Sequence, residues 1–217
     1  MREIILMADP RIAAVPVLEN GERLADLRRV AGLLLDERKQ DGTGAFAHLR
    51  EGVLARLLDA QAGLPVGMRL LIVEGYRPPS LQRRYFEEYA DELGAANPGW
   101  PADRVHMAAS RYVSPPHIAP HSAGAAVDLT LADAHGRELD LGTHMNASPE
   151  ESGGACYTDF PGIAEQARRH RGILGSALAA AGLVNYPTEW WHWSFGDRYW
   201  ALATGSAAAL YGPLEEV

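Results

Sequence analysis

The chain is nearly devoid of cysteine: Cys156 is the only one among 217 residues. A single thiol excludes an intramolecular disulfide, a thiolate zinc cluster and a CxxC redox pair. Cys156 lies in the polar, glycine-rich stretch SGGACYTD, and this setting does not favour a nucleophilic role. The chemistry of the protein is therefore expected to come from other side chains.

Long apolar runs and an excess of positive charge are also lacking. The N-terminal apolar run IILMA has only five residues, which is too short for a signal sequence, and no segment approaches the ~18 apolar residues of a membrane helix. The formal net charge of −8 opposes binding to nucleic acid and to anionic lipid. These absences predict a cytoplasmic protein with a small or peptide-like partner, no nucleic acid and no membrane contact.

The hydrophobic pattern predicts a single domain over residues 1–217 that mixes helices and strands. Apolar residues at helical spacing predict four helices, at residues 23–39, 46–61, 78–94 and 162–183. Shorter apolar runs predict strands at 68–77 and 188–195 and a hairpin over 124–142, whereas 97–120 is expected to be irregular. We expect an α+β fold with a mainly antiparallel sheet flanked by helices.

The stretch PHSAGAAVDLTL contains a histidine and an aspartate that are candidates for one site. His121 and Asp128 are seven positions apart, so on a regular strand they would face opposite sides, and a turn or bulge near Gly124 is required to bring them together. Asp128 lies among apolar residues, where an unpaired carboxylate is costly. It therefore needs a cation, which is either a basic side chain or a metal ion.

The stretch EWWHWSF adds a second histidine and a second carboxylate. His192 lies between two tryptophans and needs a hydrogen-bond partner or a metal. Two histidines and one carboxylate are the minimum for a catalytic zinc site. Glu189 lies three residues before His192, just after Pro187, so it is expected at the irregular entry to a strand. From there its carboxylate can turn inward as a general base.

Arg77, in the stretch EGYRPP, follows a predicted buried strand and precedes a predicted helix. It has two interpretations. In the first, it forms a local ion pair with Glu74 or contacts the helix end. In the second, its guanidinium polarises a scissile carbonyl or stabilises an oxyanion, to which its fixed fork of donors is suited.

Together these motifs resemble those of the D-alanyl-D-alanine dipeptidases of the VanX type, zinc peptidases related to D,D-carboxypeptidases and to the hedgehog signalling domain. EGYRP resembles the arginine motif of that family, HSAGAAVD its H-x6-D zinc motif, and EWWH its E-x-x-H motif, in the same order between residues 74 and 200. The resemblance implies a hedgehog/D,D-peptidase-like fold. It also implies one zinc ion bound by His121, Asp128 and His192, with Glu189 as general base and Arg77 stabilising the tetrahedral intermediate.

Two departures from the family pattern concern substrate binding. The stretch LDLGTHMN resembles a family motif whose acidic residue contacts the ammonium group of the substrate, but this chain has Asn146 there. Asparagine can accept a hydrogen bond from an ammonium group without the charge-assisted part of the contact. Before the first zinc motif the VanX type has serines, whereas this chain has Ala119 and Pro120, and the adjacent Ser122 is the candidate to replace them.

These residues are compatible with four functional hypotheses, to different degrees. The leading hypothesis is zinc-dependent hydrolysis of D-alanyl-D-alanine or a similar short D,D-dipeptide. The second, motivated by Asn146, is a D,D-carboxypeptidase that trims longer peptidoglycan stem peptides. The third is a zinc-binding module without catalysis, against which Glu189 and Arg77 argue. An iron(II) oxygenase is disfavoured because no histidine here has the usual His-x-Asp or His-x-Glu spacing.

Five further histidines lie in apparent loops or on a polar helix face. They are expected to be solvated rather than functional. These residues are His106, His117, His135, His144 and His170.

Overall fold

The computed structural model describes residues 4–40 and 42–214. The helices are α1 (Pro10–Ala13), α2 (Glu51–Ala62), α3 (Pro79–Ala96), α4 (Ala102–Ala109), α5 (Glu165–Ala180) and α6 (Arg198–Thr204). The strands are β1 (Leu24–Asp26), β2 (Leu34–Leu35), β3 (His48–Arg50), β4 (Arg69–Glu74), β5 (Ala126–Ala132), β6 (Val184–Asn185) and β7 (His192–Ser194). Within the described ranges, none of the helices has the length and apolarity needed to cross a bilayer.

The main sheet has five strands in the order β2-β4-β5-β7-β6. Only β2 and β4 run parallel, while the other neighbours in this sheet are antiparallel. A separate antiparallel pair is formed by β1 and β3. The predicted α+β class with a mainly antiparallel sheet is confirmed.

A bulge in β4 determines which side chains share a face of the sheet. Ile72 pairs with Leu129, but the next pair joins Glu74 to Asp128, so Val73 is an extra residue in β4. On the other side of β5, Asp128 pairs with His192. Because directly paired residues project from the same face, Glu74, Asp128 and His192 form one row across three strands.

The tryptophans before and within β7 belong to the hydrophobic core. Trp190, Trp191 and Trp193 are all buried, and the rings of Trp190 and Trp191 meet edge to face at 5.3 Å. Two of the indole nitrogens have partners: Nε1 of Trp190 donates to Oγ1 of Thr143, and Nε1 of Trp193 donates to the carbonyl of Trp190. The predicted strand at 188–195 is therefore present, but shortened to the three residues of β7.

The predicted helix over residues 23–39 is wrong. The segment forms β1, a single 3-10 turn at Leu27–Arg29 and β2. Gly32 has a φ of 99°, a value that interrupts a right-handed helix. Beyond it, the backbone of β2 pairs with Leu71 and Ile72 of β4, a partner that the local leucine spacing does not reveal.

Three further predictions need adjustment. The segment expected to be irregular, 97–120, contains α4, which begins directly after Pro101. The second strand of the predicted hairpin is reduced to an isolated bridge between Ala132 and Glu138. The helix predicted from residue 46 begins at Glu51, because the residues before it pair as β3 with β1.

We expect Gly75→Ala to destabilise the protein, because this glycine marks a close approach of two backbone segments. A Cβ atom at residue 75 would lie 2.3 Å from the carbonyl oxygen of His48. Overpacking of this kind costs about 1–3 kcal/mol in the free energy of unfolding, which urea titration measures. The control is Gly94→Ala in α3, where nothing lies within 4 Å and a gain of up to ~1 kcal/mol is expected. Equal stability of the two variants would contradict the packing argument.

Candidate active site

A cleft of about 430 Å³ lies where the row of Glu74, Asp128 and His192 approaches α3. Its volume falls in the range of small-molecule sites. Six of the seven predicted site residues line it: Arg77, His121, Asp128, Asn146, Glu189 and His192.

Three buried side chains in the cleft place one ligand atom each at nearly equal separations. Nε2 of His121 lies 3.3 Å from Oδ1 of Asp128 and 3.2 Å from Nδ1 of His192, and Oδ1 lies 3.1 Å from that Nδ1. Tetrahedral ligands at 2.0–2.1 Å from a zinc ion stand about 3.3 Å from one another. The donor set and its spacing therefore fit a zinc ion.

The turn predicted near Gly124 brings His121 and Asp128 together. Residues His121–Ala123 form a 3-10 turn, and Gly124 follows in the left-handed conformation with a φ of 63°. Glycine adopts this conformation at little cost, and the chain then enters β5 directly. The prediction that a turn is needed between the two side chains is confirmed.

The hydrogen bonds and charges around the cluster also suit metal binding. Nδ1 of His121 donates to the carbonyl of Gly75 at 2.7 Å, which leaves the lone pair of Nε2 directed at the cluster. Burial alone would raise the pKa of Asp128, but His121 and His192 outweigh it and hold this pKa well below its usual range. Burial lowers the pKa of His192. An ionised carboxylate and neutral imidazoles are the forms that coordinate metals.

Glu189 lies beside the cluster, with Oε2 4.0 Å from Nδ1 of His192. It occupies the turn before β7, where its backbone N–H donates to the carbonyl of Tyr186 and its side chain is buried. Burial, and then the negative charge of Asp128, raise the pKa of Glu189 well above its usual range. A carboxylate with a raised pKa next to a metal site is suited to taking up and returning a proton.

Both interpretations of Arg77 describe part of its environment. Its Nε and Nη2 donate to the two oxygens of Glu74 at 2.6 and 2.7 Å, so the predicted ion pair is present. Its Nη1 donates to Gln82 at 2.9 Å, and the same guanidinium lines the cleft. Three of its five N–H groups are therefore engaged, and Glu74 and Gln82 fix the direction of the other two.

Asn146 has an unusual backbone conformation. Its φ is 61°, and within 4–40 and 42–214 it is the only residue other than glycine with a positive φ. Asparagine is among the few residue types that tolerate this conformation. The hydroxyl of Tyr112 donates to the carbonyl of Asn146 at 2.7 Å and holds the loop against the cleft. Ser148 and Glu151 line the cleft from the same loop.

The structure does not bring Ser122 into the cleft. Its side chain is fully buried, and its hydroxyl donates to the carbonyl of Arg77 at 3.0 Å. Because Ser122 belongs to the same 3-10 turn as His121, this hydrogen bond ties the Arg77 backbone to that turn. In the structure, Ser122 therefore positions the chain and does not line the cleft.

Several residues of the site were not identified from the sequence. Gln82 and Tyr85 lie in α3, which begins two residues after Arg77, and their spacing of three residues on one helix face was an available signal. Tyr112 gave no signal, because its partner Asn146 is 34 residues away.

Of the remaining histidines, four are exposed as predicted: His106, His117, His135 and His144. His170 is an exception: it is buried, and its Nδ1 donates to the carbonyl of Asp140 at 2.7 Å. The face of α5 that carries it packs inward, so the expectation of a solvated side chain is wrong there. None of these five residues lines the cleft.

The sequence and fold were compared with those of known proteins. The sequence model of peptidase family M15, described as D-ala-D-ala dipeptidase, matches residues 43–205. A D-alanyl-D-alanine dipeptidase of Synechocystis sp. is 29% identical, over 87% of this chain and 87% of its own length. One of Escherichia coli is 30% identical, over 58% of this chain and 54% of its own length.

Two solved structures show weaker likeness. A variant of the D,D-pentapeptidase VanY in complex with Zn(II) is 18% identical, covering 79% of this chain and 84% of that one with a TM-score of 0.42. The LD-carboxypeptidase LdcB is 14% identical, covering 88% and 76% with a TM-score of 0.48. The family match spans most of the chain and includes Arg77, Glu189 and the three clustered side chains. The chain therefore belongs to the D-ala-D-ala dipeptidase family, peptidase family M15.

Proposed function

We propose that this protein is a zinc-dependent dipeptidase that hydrolyses D-alanyl-D-alanine, or a similar short D,D-dipeptide, to free amino acids. The observation that carries the proposal is the cluster of His121, Asp128 and His192, with Glu189 4.0 Å away and Arg77 in the same cleft. Membership of the family and the names of the relatives supply the substrate class.

Each residue has a role in this reaction. His121, Asp128 and His192 would hold the zinc ion, which when bound polarises the scissile carbonyl and acidifies a coordinated water. Glu189 accepts a proton from the attacking water and delivers it to the nitrogen of the leaving amino acid.

Arg77 acts on the other side of the scissile bond. Its two free N–H groups donate to the carbonyl oxygen as negative charge develops there in the tetrahedral intermediate. The ion pair with Glu74 and the hydrogen bond to Gln82 hold the guanidinium in place before substrate arrives. Burial of these groups strengthens the interaction, since water does not screen it.

The competing D,D-carboxypeptidase function is favoured by one observation, the neutral side chain of Asn146. A second observation opposes it: Glu151 lines the same cleft and belongs to the same loop, so a negative charge for the substrate ammonium group is still supplied nearby. We therefore place the dipeptidase first. The third alternative, a zinc-binding module without catalysis, does not explain why the carboxylate of Glu189 is buried beside the cluster.

The test is a hydrolysis assay with purified protein, in which D-alanine release is measured by mass-resolved detection. We expect about one zinc per chain, turnover of D-alanyl-D-alanine, loss of turnover on chelation and recovery on zinc addition. The N-acetylated dipeptide should be a poor substrate, because its amine is no longer charged. Equal turnover of the capped dipeptide would indicate the carboxypeptidase, and an inert zinc-loaded protein would indicate the binding module.

The proposal extends to the setting of the reaction. We propose that residues 1–217 act as one domain, since buried Arg50 donates to the carbonyls of Glu22 and Ala123 and ties distant segments together. We also propose a cytoplasmic location and a role in turnover of cell-wall peptides, with no nucleic-acid or membrane partner. Fractionation of cells and measurement of their D-alanyl-D-alanine pool would test both.

A further inference from the structure

The chain has 20 basic residues, and Lys39 is its only lysine. It lies between β2 and β3, is half-buried and lines the cleft. Across the described ranges, Lys39 and Arg77 are the only lysine or arginine side chains in the cleft lining. The neighbouring Arg38 forms ion pairs with Asp36 and Glu138, whereas Lys39 forms none with any described residue. Lys39 is thus a cation available to a ligand.

Lys39 and Arg77 share the ring of Tyr85. Nζ of Lys39 lies 5.4 Å from the ring centre, and Cζ of Arg77 lies 5.2 Å from it. In the proposed reaction the remaining N–H groups of Arg77 are taken by the scissile carbonyl oxygen. A substrate carboxylate bound one residue further along therefore requires a different cation, and Lys39 is the one that the cleft offers.

The cleft runs past two successive turns of α3, at Tyr85 and Tyr89. Tyr85, beside Lys39, and Tyr89 lie one helical turn apart, which is about 5–6 Å. Tyr89 packs edge to face against Tyr112 at 5.0 Å, and Tyr112 holds the loop of Asn146. Lys39 and the loop of Asn146 therefore line the cleft beside different turns of α3. Two extended residues span about 7 Å, so a dipeptide is long enough to lie across both tyrosines.

We propose that Lys39 binds the C-terminal carboxylate of the dipeptide and makes the cleft selective for substrates that end in a free carboxylate. The inference rests on the proposed function and adds to it a specificity-determining residue. In this arrangement Glu151, in the loop of Asn146, supplies a negative charge for the ammonium group of the dipeptide.

The first test is kinetic and compares D-alanyl-D-alanine with its C-terminal amide. Lys39→Met keeps the length of the side chain and removes its charge. We expect kcat/KM for the free acid to fall about tenfold or more, mainly through KM, with little change for the amide. Lys39→Arg should recover most of the loss. The matched control is Arg84→Met, because Arg84 also lies near the Tyr85 ring, at 5.7 Å, but does not line the cleft.

The second test needs no turnover. Reductive methylation with ¹³C-formaldehyde labels only Lys39 and the amino terminus, since there is no other lysine, and it preserves the charge. In Glu189→Gln protein, D-alanyl-D-alanine should shift the Lys39 NMR signal, and the C-terminal amide should shift it less. Suppose that the wild type hydrolyses the dipeptide. An unmoved Lys39 signal in Glu189→Gln protein, or unchanged selectivity for the free acid over the amide in Lys39→Met protein, would then overturn the assignment of Lys39 alone. A wild type that neither binds nor hydrolyses the dipeptide would overturn the proposed function, and this inference with it.

Discussion

Glu189→Gln protein should hydrolyse D-alanyl-D-alanine about 10²–10⁴-fold more slowly than the wild type, while it retains its zinc. Glutamine has nearly the shape of glutamate and tolerates the same burial, but it cannot accept the proton of the attacking water. Because the three clustered side chains are unchanged, metal content should stay near one per chain. The measurements are kcat under saturating substrate and metal analysis of the same preparation.

The control for this variant is Glu165→Gln, an exposed carboxylate at the start of α5 that pairs with Arg169. It should leave kcat unchanged, because surface ion pairs contribute little. If Glu189→Gln protein kept more than a tenth of the wild-type kcat with its zinc bound, another group would be transferring the proton and the assigned role of Glu189 would be wrong.

Asp128→Asn is expected to abolish activity by a different route, through loss of the metal. The amide is neutral and a poor ligand for zinc, and Asp128 stands between His121 and His192 at 3.3 and 3.1 Å. We expect zinc affinity to fall at least 100-fold, since even changes to groups outside the ligand set cost 10–100-fold. Zinc should raise the melting temperature of the wild type and not that of the variant.

A second aspartate on the same segment provides the comparison. Asp133 follows β5 directly and pairs at the surface with Arg137. Asp133→Asn should keep both zinc and activity. An Asp128→Asn protein that still bound one zinc and turned over substrate would mean that the metal lies elsewhere.

The parts of the site that the sequence predicted are those whose geometry is local. Gly124 permits the turn that brings His121 to Asp128, and Pro187 lies in the turn that ends at Glu189. In both cases a single residue type beside the motif signals the bend. For Arg77, the two interpretations are compatible, because a guanidinium has enough donors to bind Glu74 and still face the cleft.

What the sequence could not predict depends on contacts between distant segments. The spacing of the leucines in residues 23–39 fits a helix, yet Leu34 and Leu35 form β2, which pairs with β4. Lys39 reaches the cleft only because β2 joins the sheet in this way. The same reasoning applies to Tyr112, whose role requires the loop of Asn146 to close against it.

The extra residue Val73 makes the site depend on the number of residues in β4 as well as on their chemistry. Regular alternation would place Glu74 on the face of Leu70 and Ile72, but the added residue moves it to the face of Asp128. Loss or gain of one residue there would turn Glu74, the ion-pair partner of Arg77, away from the metal cluster. Many substitutions at Val73 would leave Glu74 on the face of Asp128, because they do not change the number of residues. Homologues that share the mechanism should therefore differ in the side chain at this position but keep the same number of residues in β4.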